Sequence, residues 1–351
     1  MPTGSKDPDV LLAWLLDSMG LVRRKSEGMS IDDEQGALHR LIRETLLSEP
    51  LKGWDTKSLG DVSGLSQTGM HHQLVKLRES GLVAAETEGR WHIHVLRGGS
   101  ISAAVDLVSV QARAILDLRL SEVAERVTES DDRMVIPSEE RGGGFQIEIA
   151  EPGATIEGED RLDALMRDLG LNGERSKHND RLARQLFEQI SSSRRAMTLL
   201  ALADKTGDSR SRVQRAVERM RAAGIAERVP MLDRIAQDVY AGLMRQHDAR
   251  GEEWLMTRGG LGRLDESVSK SLIAGVRKKS LNIEKVQDIL APVPLDAQRV
   301  LLNTLGGRMP YGIRISGRDG AAVKERVMRQ ADRTLRRLRT VAQRLDESLA
   351  S

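Results

Sequence analysis

Residues 56–96 constrain the fold more than any other stretch of the chain. Thr56-Lys57-Ser58-Leu59-Gly60-Asp61-Val62 predicts a short capped helix, and Ser63-Gly64-Leu65 turns the chain. Ser66 is placed to cap a second helix over residues 67–80, where Met70, Leu74 and Leu77 fall on one face. Gly81 stops that helix and supplies the left-handed conformation a sharp exit needs. Two strands, at 82–85 and 91–95, flank a turn at 86–90 that contains Gly89, which is a hairpin pattern.

A helix, a turn, a second helix and a hairpin in that order is the winged-helix layout, whose second helix enters a major groove. Gln67, Thr68, His71, His72 and Lys76 lie away from the apolar face and are the candidates for groove and backbone contacts. Arg90, in the hairpin turn, is a candidate for a phosphate or a minor groove. His92 and His94 share one strand face. Four histidines in so short a stretch raise a metal or pH role, but no carboxylate or histidine pair at helical spacing stands beside them. The plainer expectation is two groove-facing and two solvent-facing histidines.

The run from Ser66-Gln67-Thr68-Gly69-Met70-His71-His72 to Leu77-Arg78-Glu79-Ser80-Gly81-Leu82-Val83 resembles the recognition helix of arsenic-repressor (ArsR)-like regulators. The wing Glu88-Gly89-Arg90-Trp91 is similar to theirs as well. The resemblance covers about a fifth of the chain and implies a DNA-binding domain over residues 34–97. Members of that family often sense metals through cysteine thiolates. This chain has no cysteine, which argues against a soft-metal sensor, disulfides and the common zinc knuckles.

A second unit of the same kind is predicted at 178–260. Helices at 180–191 and 194–204 lead to the turn Lys205-Thr206-Gly207-Asp208 and a helix at 209–223, with Val213, Ala216, Val217 and Met220 inward. Ser209, Arg210, Ser211, Arg212, Arg215 and Arg219 are its candidate DNA contacts. Gly224-Ile225 then repeats Gly81-Leu82, a glycine stop before a strand, which suggests internal duplication. Trp254-Leu255-Met256-Thr257-Arg258-Gly259-Gly260 resembles the closing wing strand of multiple-antibiotic-resistance (MarR)-like winged helices. A helix at 232–246 interrupts that second wing.

Around these units, residues 9–22 predict an apolar helix, and 33–48 a helix with Leu38, Leu41, Ile42, Thr45 and Leu46 buried. A long helix follows at 101–127, for which dimerisation and intramolecular packing both remain open. Two short strands, at 134–137 and 145–149, and a helix at 156–171 form an acidic segment: a linker, a ligand module or a competitor for the basic half. Beyond 261 come three helices and a loop with Arg308, Arg314 and Arg318 placed to touch phosphates. The last helix, 321–349, has an apolar stripe and a basic back of Arg329, Arg333, Arg336, Arg337 and Arg339, and reads as a packed or pairing helix rather than a DNA-binding arm.

Charge is segregated along the 351 residues. Residues 1–120 hold 14 Lys/Arg against 16 Asp/Glu, 121–174 hold 5 against 15, and 175–351 hold 35 against 21, so the C-terminal half suits a polyanion. Aromatic residues make up only 2%, leaving core filling to aliphatic side chains, which favours helices. The longest apolar run, 10–16, is far short of the roughly 20 residues of a membrane span. Neither Gly142-Gly143-Gly144 nor the glycines at 64 and 69 carry the residues of a phosphate loop, and no catalytic motif appears.

The expected fold is therefore mainly α with small β-wings: tandem winged helix-turn-helix domains joined by a small acidic α+β segment, plus a C-terminal helical region. The expected divisions are 1–28, 29–100, 101–130, 131–175, 176–262 and 263–351. The expected function is a non-catalytic transcriptional regulator of double-stranded DNA, homodimeric, cytoplasmic and nucleoid-associated, with no cofactor, no membrane partner and any small-molecule effector left open. The alternatives are a chromosome-organising or segregation scaffold and an RNA-binding winged-helix protein.

Overall fold

The computed structural model describes residues 2, 4–22, 33–89, 91–138, 144–151, 158–173 and 180–351. It is mainly helical, with one three-stranded and one two-stranded antiparallel sheet. In chain order the elements are α1 (Pro8–Ser18), α2 (Asp33–Leu41, continued by a π turn at Ile42–Leu46), β1 (Trp54–Asp55), α3 (Thr56–Ser63), α4 (Gln67–Glu79), β2 (Val83–Glu88), β3 (Trp91–Leu96) and α5 (Ile101–Ala124). There follow α6 (Asp132–Val135), α7 (Arg161–Asp168), α8 (Leu182–Ser192), α9 (Leu199–Thr206), α10 (Arg210–Ala222), β4 (Ala226–Pro230) and α11 (Leu232–Thr257). The chain ends with α12 (Glu266–Arg277), α13 (Ile283–Leu290), α14 (Leu295–Thr304), β5 (Tyr311–Ile315) and α15 (Gly320–Ala350).

Two compact units result: residues 1–119 with 328–351, and residues 120–327. The core of the first is aliphatic. Leu11, Leu12, Leu15 and Leu16 of α1 meet Leu38, Leu41, Ile42 and Leu46 around α2, and Met70, Leu74 and Leu77 of α4. Ile101, Ala104 and Val105 of α5 and Leu338, Val341, Ala342 and Leu345 of α15 complete it. Each leucine, isoleucine, valine or methionine among them, fully buried, contributes about 1.5–3 kcal/mol, so this cluster holds the unit together. The sheet runs β1-β3-β2, with Trp54 opposite His94 and Ala84 opposite Val95. Here α5 and α15 lie antiparallel, laced by Arg339 to Asp106, Arg113 to Asp332 at 3.0 Å, and the Ser102 amide to Asp346 at 3.0 Å. The same α5 leaves Leu107, Val110 and Leu118 exposed.

The second unit repeats the element order of the first. Helix α8 precedes a one-residue bridge at Met197, then α9, α10 and β4, as α2 precedes β1, α3, α4 and β2. Met197 bridges Ile313 of β5, just as Trp54 pairs with His94 of β3. The landmarks fall in step: N-caps Asp55 and Thr198, left-handed glycines Gly64 and Gly207, N-caps Ser66 and Ser209, and stops Gly81 and Gly224. A single interval separates the members of all four pairs, so no insertion lies between these points.

The two units part company after β2 and β4. Residues 254–257, the start of the run expected as the closing strand, are helical in α11 and follow a break at Gly251, where φ is +77°. Trp254 and Leu255 pack there into a separate aliphatic core with Ile235, Val239, Leu272, Val286 and Leu302, on a helical stripe that a strand would split between two faces. The partner of β4 is instead β5, with Glu227 opposite Arg314 and Pro230 opposite Tyr311. A helical module, α11 to α14, is thus inserted between the two strands, and the division expected at 262/263 falls inside this unit.

The acidic segment also departs from expectation. Residues 134 and 135 belong to helix α6, and 144–151 form no strand. That stretch is pinned by the Gln146 amide on the Ala222 carbonyl (2.9 Å) and the Ala150 amide on the Asp168 carbonyl (3.2 Å). Gly142 and Gly143 lie outside the described residues, as does the start of the helix expected at 156.

Candidate nucleic-acid interface

In α4 the local sequence fixes both ends of the helix. Asp55 caps α3 by accepting from the amides of Lys57 (2.9 Å) and Ser58 (3.0 Å), and its carboxyl is held below the usual range, first by the Ser58 hydroxyl. Ser66 caps α4 by accepting from the Gly69 amide at 3.2 Å. Met70, Leu74 and Leu77 are buried, so the opposite face must point outward. Gln67, Thr68, His71, His72 and Lys76 are all exposed on it, with the His71 and His72 rings 6.5 Å apart. Their donors and acceptors are of the kind that meets base edges and phosphates, and Gln67 and Thr68 stand at the positive end of the helix. Arg90 lies outside the described residues.

His92 is exposed in this unit, but the expectation for His94 is corrected. It is buried on β3, with Nε2 3.5 Å from the Thr56 hydroxyl and Nδ1 without a partner among the described residues. Burial holds its imidazole below the usual range, joined by the nearby Arg78 and His92 charges. Its neighbour across the sheet is Trp54, so the alternation that put His92 outside did not fix which side β1 would cover.

In α10 the same scaffold carries a different surface. Ser209, Arg210, Ser211, Arg212 and Arg215 are exposed, with Ser209 capping the helix through the Arg212 amide at 3.4 Å. Arg215 donates to the Ser211 carbonyl of its own helix at 3.3 Å, and two further expected contacts are held by residues outside α10. Arg212 reaches Asp208 at 2.6 Å and Asp180 at 2.9 Å. Arg219 is half-buried and donates to the carbonyls of Leu171 (2.8 Å) and Asn172 (3.0 Å), and burial lowers its pKa. A Cβ on Gly173 would stand 3.0 Å from that guanidinium, so the acidic segment closes tightly over it. The expected stripe of Arg212, Arg215 and Arg219 is therefore not one free surface, and Lys76, in the position of Arg219, has no such tether among the described residues.

Of the three loop arginines, Arg308 is exposed and the other two are engaged within the unit. Arg314 is buried on β5, donating to Glu227 at 2.8 Å and to the Ile136 carbonyl at 2.6 Å, while Arg326 reaches the other Glu227 oxygen at 2.6 Å. Arg318 pairs with Asp319 at 2.8 Å. Sequence reading missed Glu227, yet the alternation of β4 carried a signal by setting it on the same face as Val229. It also missed Arg133, buried and donating to the carbonyls of Ser191 (2.7 Å) and Ser193 (2.6 Å).

Among the described residues, no group of three or more His, Asp or Glu is placed to hold a metal ion, and no helix is long and apolar enough to cross a membrane. Compared with protein-family models, curated proteins and solved structures, the chain matches none of them.

Proposed function

We propose that the chain is a transcriptional regulator of double-stranded DNA, built on two winged-helix modules and acting without catalysis. The observation that carries the reading is the outward face of α4. A short capped helix, a left-handed glycine turn and three buried anchors present Gln67, Thr68, His71, His72 and Lys76 together, ahead of a β-hairpin. Recurrence of the same order around α10, and the ArsR-like wording of 66–83, support it. In this reading α4 recognises sequence, while Ser209, Arg210, Ser211 and Arg215 at the start of α10 contribute phosphate contacts. Homodimerisation and a place on the nucleoid belong to the same proposal.

Binding to a pool of random duplex DNA, selected and sequenced at about 150 mM salt, tests it. The expected result is a reproducible motif, two-fold symmetric for a homodimer. Retention without any motif would favour a chromosome-organising scaffold. No retention would turn attention to RNA or protein.

A further inference from the structure

The middle of α15 carries a concentration of positive charge. Between Met328 and Arg344 the helix has six arginines and one carboxylate, Asp332. That carboxylate is already taken by Arg113, and Arg339 is taken by Asp106. The opposite side of the helix is fixed in the core of the first unit by Ala331, Leu338, Val341, Ala342 and Leu345. Arg333, Arg336 and Arg337 are left pointing outward, exposed and with no side-chain hydrogen bond or ion pair among the described residues.

Several exposed arginines elsewhere in the chain are neutralised locally. Arg161, Arg212 and Arg277 each meet a carboxylate. Like charges three and four residues apart cost a helix a few tenths of a kcal/mol per pair, so the ridge at 333, 336 and 337 works against the stability of α15. Packing does not explain it either, because the anchoring residues lie on the other face.

We propose that Arg333, Arg336 and Arg337 form a phosphate-contact ridge, whose partner is the backbone of a nucleic-acid duplex. This rests on the reading of the chain as a DNA-binding protein and names where its sequence-independent affinity arises. Neighbouring side chains one turn apart on a helix stand about 5–6 Å from each other. A duplex offers one negative charge per about 1.7 Å of its axis, so a linear polyanion satisfies all three guanidinium groups without a shaped pocket. Arginine also forks onto phosphate oxygens in pairs of hydrogen bonds. Between 328 and 351 there is no aromatic residue, so the ridge has no platform for stacking unpaired bases. It contacts the backbone and does not read sequence.

The test is the salt dependence of binding by the full chain to random duplex and to duplex carrying any selected motif, with inorganic polyphosphate as a second probe. The triple variant R333Q/R336Q/R337Q is expected to lower the slope of log K against log salt by nearly three on both duplexes, about 0.9 per lost contact, and to weaken polyphosphate binding. R333K/R336K/R337K, which keeps the charges, is expected to retain most of the slope. A Gln variant with unchanged slope and affinity overturns the ridge, as does a wild-type chain that binds neither duplex nor polyphosphate. A Thr68→Ala, His71→Ala, His72→Ala variant separates the two readings. A wild-type chain with a ridge-dependent slope but no sequence preference for that variant to lose leaves the ridge standing and removes the reading helix.

Discussion

Helices α4 and α10 stand on the same scaffold and present opposite surfaces. Each follows a short capped helix and a left-handed glycine, begins at a serine cap and ends at a left-handed glycine before a strand. Around α4 the outward side chains are open. Around α10 the carboxylates of Asp180 and Asp208 hold Arg212, and the carbonyls at 171 and 172 hold Arg219. Behind them, the apolar pair Ala84 and Val95 is replaced by the buried ion pair of Glu227 and Arg314. Caps and stops set a skeleton; residues arriving from elsewhere in the chain decide whether its outer face is available.

The largest test of that comparison is Glu227→Ala. Removing one partner leaves Arg314 charged and buried, which costs about 3–5 kcal/mol and should be read as early unfolding of the second unit in denaturant. The double variant E227A/R314V, which copies the first unit, should recover much of that loss; no recovery would mean the Ile136 and Arg326 contacts dominate. Arg219→Gln is expected to cost about 1.5–3 kcal/mol through its two carbonyl bonds, with little change in the salt slope of DNA binding. Lys76→Gln should do the reverse, leaving stability within about 0.5 kcal/mol and weakening DNA. Equal effects of the two substitutions on binding would erase the distinction between the faces. Ser66→Ala and Ser209→Ala should each cost about 1 kcal/mol, since both caps make the same bond.

The smallest effect is a change of shape rather than a loss. Burial depresses the His94 pKa, so the unfolded chain takes up that proton first as pH falls. The contribution of neutral His94 is complete above about pH 6.5 and is lost progressively below it. The second unit has Ile313 at the matching place. His94→Ile should therefore flatten the acid side of the stability profile of the first unit, and an unchanged profile would show that His94 is not the group responsible.

The skeleton was legible in the sequence because caps, glycine stops and apolar stripes act over a few residues. Ser66, Gly81 and Gly224 stand where their types implied, and so do Met70, Leu74, Val213 and Val217, while Ser209, read as the first residue of its helix, is its cap. The pairing of β4 was not legible, because its partner β5 lies beyond four inserted helices and Trp254-Leu255-Met256 offered a nearer apolar candidate. Positive charge was equally ambiguous: Arg219 and Arg314 are tethered inside the second unit, whereas Arg333, Arg336 and Arg337 are not. Counting arginines located the basic half without telling the bound from the free.

The most direct test of the central claim compares affinity for a selected duplex motif with affinity for random duplex, in two variants of the full chain. Replacing Thr68, His71 and His72 of α4 by alanine is expected to bring the two affinities together, while replacing Arg212 and Arg219 of α10 is expected to leave their ratio unchanged. A ratio that survives the α4 replacements and collapses with those in α10 would contradict the assignment of sequence reading to α4.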